Sequence, residues 1–261
     1  VDRARARRQE FSERYGIDLV LDTVEELLDR EVPDIVSAVV PVSQNYPTVV
    51  ACAEAGVRVV SCEKPISAEL AEADAMVRIC RERGTLFACG QSAWATPYMP
   101  QILDWVEAGH IGKLTAAAIP GGLPTEVSGG GCVQLSAISL LTRQEVEWVE
   151  GWTLPSLPGY VAPPGRPEVE ADSPAYGRLG LSGGIICEIP APRSIPCFIA
   201  AAGEKGHVWL SRPTPVLIQG KGPESTPVYP EFLDAPQPEN FFIPTIERLL
   251  RAFDTGAEPL S

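Results

Sequence analysis

The residue in this sequence best placed for chemistry is a lysine. Lys64 stands in Glu63-Lys64-Pro65, directly after the apolar run Val57-Arg58-Val59-Val60-Ser61-Cys62 and ahead of a long amphipathic helix pattern. In open α/β sheets ligands lie beyond the carboxyl ends of the strands, so a cation delivered by a strand end sits where a cofactor or substrate would be. The competing reading is a solvated lysine in a strand-to-helix loop. Only His110 and His207 are present, too few for a multi-histidine metal site. The seven cysteines (52, 62, 80, 89, 132, 187 and 197) are scattered, with no C-x-x-C pair. That pattern fits reduced core thiols better than disulfides or zinc ligands, and no metal is expected.

Composition narrows the class. With 261 residues, 45% of them hydrophobic, the chain can bury a substantial core and is expected to divide into two domains. A formal charge of −13 argues against nucleic acid, because phosphate binding needs clustered Lys and Arg. No apolar stretch approaches the roughly 20 residues of a membrane span, and no charged-then-apolar leader opens the chain. The expected setting is the cytoplasm.

The elements that must position Lys64 follow from periodicity. The first half alternates helical and strand-like segments, the pattern of βαβ units around a parallel sheet. Helices are expected over residues 3–14, 23–29 (capped by Thr23), 45–55 (stopped by Gly56), from Ser67 to Gly84, and over 97–108. Extended segments are expected at 18–21, 34–40, 57–62 and 85–89. Beyond Gly112, runs such as Gly183–Ile189 and Gly206–Leu210 alternate as antiparallel strands do, and the proline-rich stretch 154–174 reads as a surface loop or oligomer contact. A last helix is expected over 245–253. The chain enters abruptly at Val1-Asp2 and an arginine-rich run, so both ends read as cut.

Together these segments resemble the Gfo/Idh/MocA oxidoreductases. The residues that carry the resemblance are Tyr15-Gly16, Thr23 to Leu28, Asp34-Ile35-Val36, Ala55 to Val59, Glu63-Lys64-Pro65, Gly109-His110-Ile111-Gly112-Lys113 and Gly203-Glu204-Lys205-Gly206. The resemblance implies a Rossmann-like parallel-sheet domain over 1–93, incomplete at its start, and an α/β domain with a largely antiparallel open sheet over 94–261, used for substrate and for homo-oligomer contacts. It also implies hydride transfer between NAD or NADP and a sugar, polyol or related small molecule. The glycine-rich turn that holds the pyrophosphate in such proteins would precede Asp2 and is not in this sequence; Gly129-Gly130-Gly131 is no substitute.

Residue by residue, the resemblance makes Lys64 the acid/base group, which a lysine can be when desolvation or like charge opposes its ammonium form. Glu63 would orient the strand end or meet the nicotinamide amide, and Pro65 would set the turn, its peptide bond open to the cis form. Asp2 would be the ribose-binding acid or else the N-cap of the first helix, and Arg3 would meet a 2′-phosphate or stack on adenine. Pro41 and Asn45 complete the cofactor set, with a helix N-cap as the other reading of Asn45. Trp94 and Ser139 are the candidates toward substrate, against the alternatives of a core tryptophan and a structural helix face.

One departure stands out. Relatives read Gly-Gly-x-x-x-Asp-x-Gly-x-His where this chain has Gly130 to Ser139, so Leu135 takes the Asp place and Ser139 the His place. A serine hydroxyl does not replace an imidazole as a proton shuttle near neutral pH. The alternative function is therefore a ligand-binding or regulatory protein that has lost the chemistry. His110 and His207 are given no catalytic role.

Overall fold

The computed structural model describes residues 1–90, 96–123, 127–155, 173–211, 213–237, 240 and 242–257. The chain divides into two compact units, residues 1–91 with 245–261, and residues 92–244. The last helix thus groups with the first unit, which differs from a simple division at 93/94.

In the first unit, α1 (Arg5–Tyr15) and α2 (Val24–Arg30) precede β1 (Ile35–Ala38), α3 (Val42–Ala55), β2 (Val59–Cys62), α4 (Leu70–Arg83) and β3 (Leu86–Cys89). Thr23 caps α2 by accepting from Glu26 N, and left-handed Gly16, Gly56 and Gly84 end α1, α3 and α4. Residues 18–21 form no strand. β1, β2 and β3 pair in parallel in that order, Ile35 opposite Val59 and Val59 opposite Leu86.

Both faces of this sheet are covered, as a parallel sheet requires. Val36, Ala38, Val60, Cys62, Phe87 and Cys89 face one cluster with Val49, Cys52 and Ala53 of α3 and Met76 and Cys80 of α4. Their alternates, Ile35, Val59, Leu86 and Ala88, face Leu249 and Phe253 of α7 (Phe242–Thr255). Arg58 fastens that helix: its guanidinium lies 4.0 Å from the centre of the Phe253 ring and donates to the Phe253 carbonyl at 3.4 Å.

The second unit is built on eight strands among the described residues, in the order β11-β10-β9-β8-β4-β7-β6-β5. These are β4 (Leu114–Ala118), β5 (Val146–Thr153), β6 (Ala175–Leu181), β7 (Ile185–Ile189), β8 (Cys197–Gly203), β9 (Gly206–Ser211), β10 (Val216–Gln219) and β11 (Thr226–Val228). Only β4 and β7 run parallel; every other pair is antiparallel. α5 (Met99–Glu107) and α6 (Cys132–Thr142) share one core with Ala117, Leu179, Cys187, Ile199, Val208 and Leu217. The alternate positions stay outside that core. Trp148, Trp152 and Trp209 are all exposed there. Gly180 leaves space for an indole, since a Cβ on it would overlap Trp148.

Candidate active site

β2 ends at Cys62, and the chain then turns through Glu63-Lys64-Pro65 with a cis Lys64–Pro65 bond. The ladder continues one residue past the strands on either side: Glu63 N donates to Ala38 O, and Gly90 N donates to Cys62 O, both at 3.1 Å. Lys64 therefore leaves the carboxyl edge of the sheet from its middle described strand, and it is half-buried.

Two features locate its side chain. The first is Asn45, in α3 and 1% exposed. Its Nδ2 donates to the carbonyls of Glu63 at 2.9 Å, Pro65 at 3.0 Å and Ile66 at 3.3 Å, bracketing Lys64 on both sides. The second is Gly90, in a left-handed conformation at φ 53°. A Cβ there would stand 2.8 Å from Lys64 Cβ and 3.3 Å from Cγ, so the lysine stem runs against bare backbone. Behind the turn, Cys62 and Cys89 are register partners, and Cys89 Sγ lies 3.7 Å from the Glu63 carbonyl, to which it donates. The Cys89 thiol is pushed far above its ordinary range by its hydrogen bond to Cys62 and by burial.

A second group of predicted residues gathers at the start of α3. Pro41 is the N-cap residue, so α3 begins before Asn45, and Asn45 is not a cap. The asparagine reaches the loop carbonyls because it lies inside the helix. Gln44 accepts from the Arg3 guanidinium at 3.5 Å. Asp2 Oδ1 accepts from Ala4 N at 2.7 Å, which closes a turn before α1, although the formal cap is Ala4. Consecutive residues of α3 thus touch both groups, Gln44 toward Arg3 and Asn45 toward the Lys64 turn.

Residues 1–91 match the family described as "Oxidoreductase family, NAD-binding Rossmann fold" (GFO_IDH_MocA). Over its first unit the chain is thus similar to the Gfo/Idh/MocA family. A curated relative, trans-1,2-dihydrobenzene-1,2-diol dehydrogenase of Mus musculus, is 24% identical over 238 residues, which cover 85% of this chain and 69% of the relative. Among solved structures, aldose-aldose oxidoreductase from Caulobacter crescentus, complexed with glycerol, superposes with a TM-score of 0.75 at 22% identity, covering 98% of this chain and 81% of that one. An oxidoreductase from Agrobacterium radiobacter in complex with NAD+, L-tartaric acid and magnesium gives 0.76 at 17% identity over 98% of this chain and 80% of that one. At these identities the solved structures establish the fold: a Rossmann-like parallel sheet followed by a larger, mostly antiparallel one.

Against the family pattern, α6 is the notable element. One π-helical turn, Val127–Gly131, carries the three glycines directly into it. Leu135 packs against the core of the second unit, and Ser139 is exposed, its carbonyl accepting from Arg143 N. Four residues apart, they share one side of the helix, with neither a carboxylate nor an imidazole between them. Trp94 lies outside the described residues. His110 stacks on Trp105 at 4.9 Å and meets Gln219 at 2.9 Å, while His207 lies in β9 beside Trp209. Among the described residues no cluster of His, Cys, Asp and Glu could hold a metal, and no helix is long and apolar enough to cross a membrane.

Gly90 was the part least visible beforehand. Its signal lay in register: β2 and β3 are equal in length, and Cys62 opposite Cys89 sets Gly90 beside the turn.

Proposed function

We propose that this protein is an NAD(P)-dependent oxidoreductase that moves a hydride to or from a sugar, polyol or related small molecule, with Lys64 exchanging the hydroxyl proton. The observation that carries the reading is the fixed placement of Lys64 at the carboxyl edge of the parallel sheet, between the Asn45-held carbonyls and the bare backbone of Gly90. The molecules named with the three relatives, a dihydrodiol, an aldose with glycerol, and tartaric acid, all bear hydroxyls on adjacent carbons, which favours a vicinal diol as substrate class.

The residues present suit a dinucleotide. The carboxyl edge of β1–β3 is followed by the start of α3, and Gly90 offers backbone where a side chain would fill the space. Asp2 and Arg3 would meet the adenosine end, Pro41 and the Glu63-Lys64-Pro65 turn the nicotinamide end. Asn45 serves that site through the turn, since its own amide is buried. An acid at Asp2 favours NAD over NADP, because its charge opposes a 2′-phosphate. The cofactor supplies the hydride acceptor or donor. In oxidation, neutral Lys64 Nζ takes the hydroxyl proton as the C–H bond breaks and the carbonyl forms; in reduction, the ammonium returns it.

Two further parts of the reading rest on other observations. Trp148, Trp152, Trp209 and Val216 are exposed on the second unit, on the face of its sheet away from the core, an apolar surface suited to a homo-oligomer. No disulfide joins any of the seven cysteines, which suits the reducing cytoplasm.

The test is direct. NADH and NADPH are titrated by fluorescence, and a panel of polyols, sugars and vicinal diols is then screened for absorbance change at the nicotinamide band. Turnover that falls about 100-fold or more in Lys64→Ala supports the assignment. Cofactor binding with no turnover anywhere on the panel refutes the activity, and turnover that survives Lys64→Ala refutes the role.

A further inference from the structure

We propose that Asn45 is the positioning residue of the active site, acting through its amide on the backbone that aims Lys64. The inference rests on Lys64 being the proton-transfer group. One Nδ2 meets three carbonyls at 2.9, 3.0 and 3.3 Å, from Glu63, Pro65 and Ile66. An amide has two N–H groups, so two of these bonds are full and the third shares a donor. The bonds hold the peptide plane that precedes Lys64 and the plane that follows Pro65, while the proline ring fixes φ between them. Little freedom is left to the direction of the Lys64 Cα–Cβ bond.

The orientation of the amide is not arbitrary. Asn45 is 1% exposed, and its Oδ1 has no hydrogen-bond partner among the described residues. Turned over, the amide would set that oxygen against three carbonyls. The fold therefore tolerates one unpaired buried acceptor and keeps the donors on the turn. A residue present only to pack α3 against β2 would have no need of an amide. Cys89 adds a weaker donor to the Glu63 carbonyl but reaches neither Pro65 nor Ile66 in its bond at 3.7 Å. Among the described residues, Asn45 alone spans both sides of the lysine.

The experiment compares Asn45→Leu, which keeps the volume and removes both donors, with Asn45→Ser, which keeps a single donor, in the intact protein and in a Lys64→Ala background. The expected result is a fall in kcat approaching 100-fold for Asn45→Leu, with KM and NADH affinity little changed and part of the rate restored in Asn45→Ser. In the Lys64→Ala background the same substitutions should leave the residual kcat where it was, because their effect passes through the lysine. A fall of equal size in both backgrounds would overturn the proposal.

A second readout does not need turnover. The sequence has four lysines, 64, 113, 205 and 221, so reductive methylation with 13C-formaldehyde gives few resonances, and Lys64→Arg identifies one of them. Asn45→Ser should shift or broaden the Lys64 resonance and leave the other three alone. An unmoved Lys64 resonance in a folded variant would overturn the proposal even if the enzyme were active. A moved resonance without turnover on any substrate would uphold it and count against the proposed activity instead.

Discussion

Replacing Gly90 with alanine tests the placement of Lys64 most directly. Gly90 holds φ at 53°, where a Cβ is strained, and the added methyl would stand 2.8 Å from Lys64 Cβ. Left-handed backbone costs an L-residue about 1–2 kcal/mol. Ordinary contact begins at 3.4 Å, so the lysine stem must also retreat by 0.6 Å, the difference from 2.8 Å, and the head moves with it. Displacement on that scale at a reacting group costs on the order of 10- to 100-fold in rate. Gly84 provides the control. It ends α4 at φ 71°, and a methyl added to it would meet nothing within 4 Å, so Gly84→Ala carries the backbone strain without touching Lys64. The assay pairs urea unfolding with kcat on the substrate found by screening. Similar losses of stability in both variants are expected, with the loss of kcat confined to Gly90→Ala. Equal kcat in the two would refute the argument that Gly90 is small in order to seat the lysine.

Other parts of the chain give three more tests. Burial raises the Cys52 and Cys80 thiols from 9 to about 11 and Cys187 to about 12. Unfolded thiols thus release their protons first as pH rises, so the stability these groups contribute is full below pH 9 and is lost above it, through 11 for the first two. The unfolding free energy from urea titration should fall between pH 9 and 10, by up to about 1.4 kcal/mol per thiol and pH unit, and Cys52→Ala should flatten the slope; a free energy level over that range would refute the burial argument. Leu249, 5% exposed, is the buried anchor of α7 on Val59 and Ala88, so Leu249→Ala should cost about 2–5 kcal/mol in urea unfolding, and a loss under about 0.5 kcal/mol would show that α7 is not held there. Placing glutamate at Trp148 and Trp209 together should convert an oligomer to monomer in analytical ultracentrifugation, and an unchanged sedimentation coefficient would remove this face from the interface.

Local patterns made the scaffold legible. Thr23, Gly16, Gly56 and Gly84 are punctuation marks with one conformational meaning each, and the helices stop where those residues stand. Boundaries slipped where the determining contact was tertiary. Ser67 reads as a helix cap, yet α4 starts at Leu70, because the Ser67 hydroxyl donates to Glu72 and accepts from Glu69 N one turn earlier. Asn45 likewise reads as a cap from its type and position. Only the nearness of carbonyls 18 to 21 residues away shows what its amide is for. The role of α7 was hidden for the same reason: its apolar stripe is local, but Val59 and Ala88, which receive it, are not.

The proposed role of Lys64 raises one question: how a lysine would transfer a proton in a chain that has Leu135 and Ser139 where the family pattern has Asp and His. A relay is needed when the group that exchanges the proton is sealed from water. Lys64 is half-buried, so in the proposed role its amine would trade protons with solvent directly between turnovers. What a missing partner would also have provided is orientation. Here that comes from neutral groups, two peptide planes held by the Asn45 amide and a glycine that lets the stem pass. Both act on the backbone and the stem of the lysine and not on its amine, so in the proposed role a backbone brace supplies the orientation that an ion pair would otherwise give.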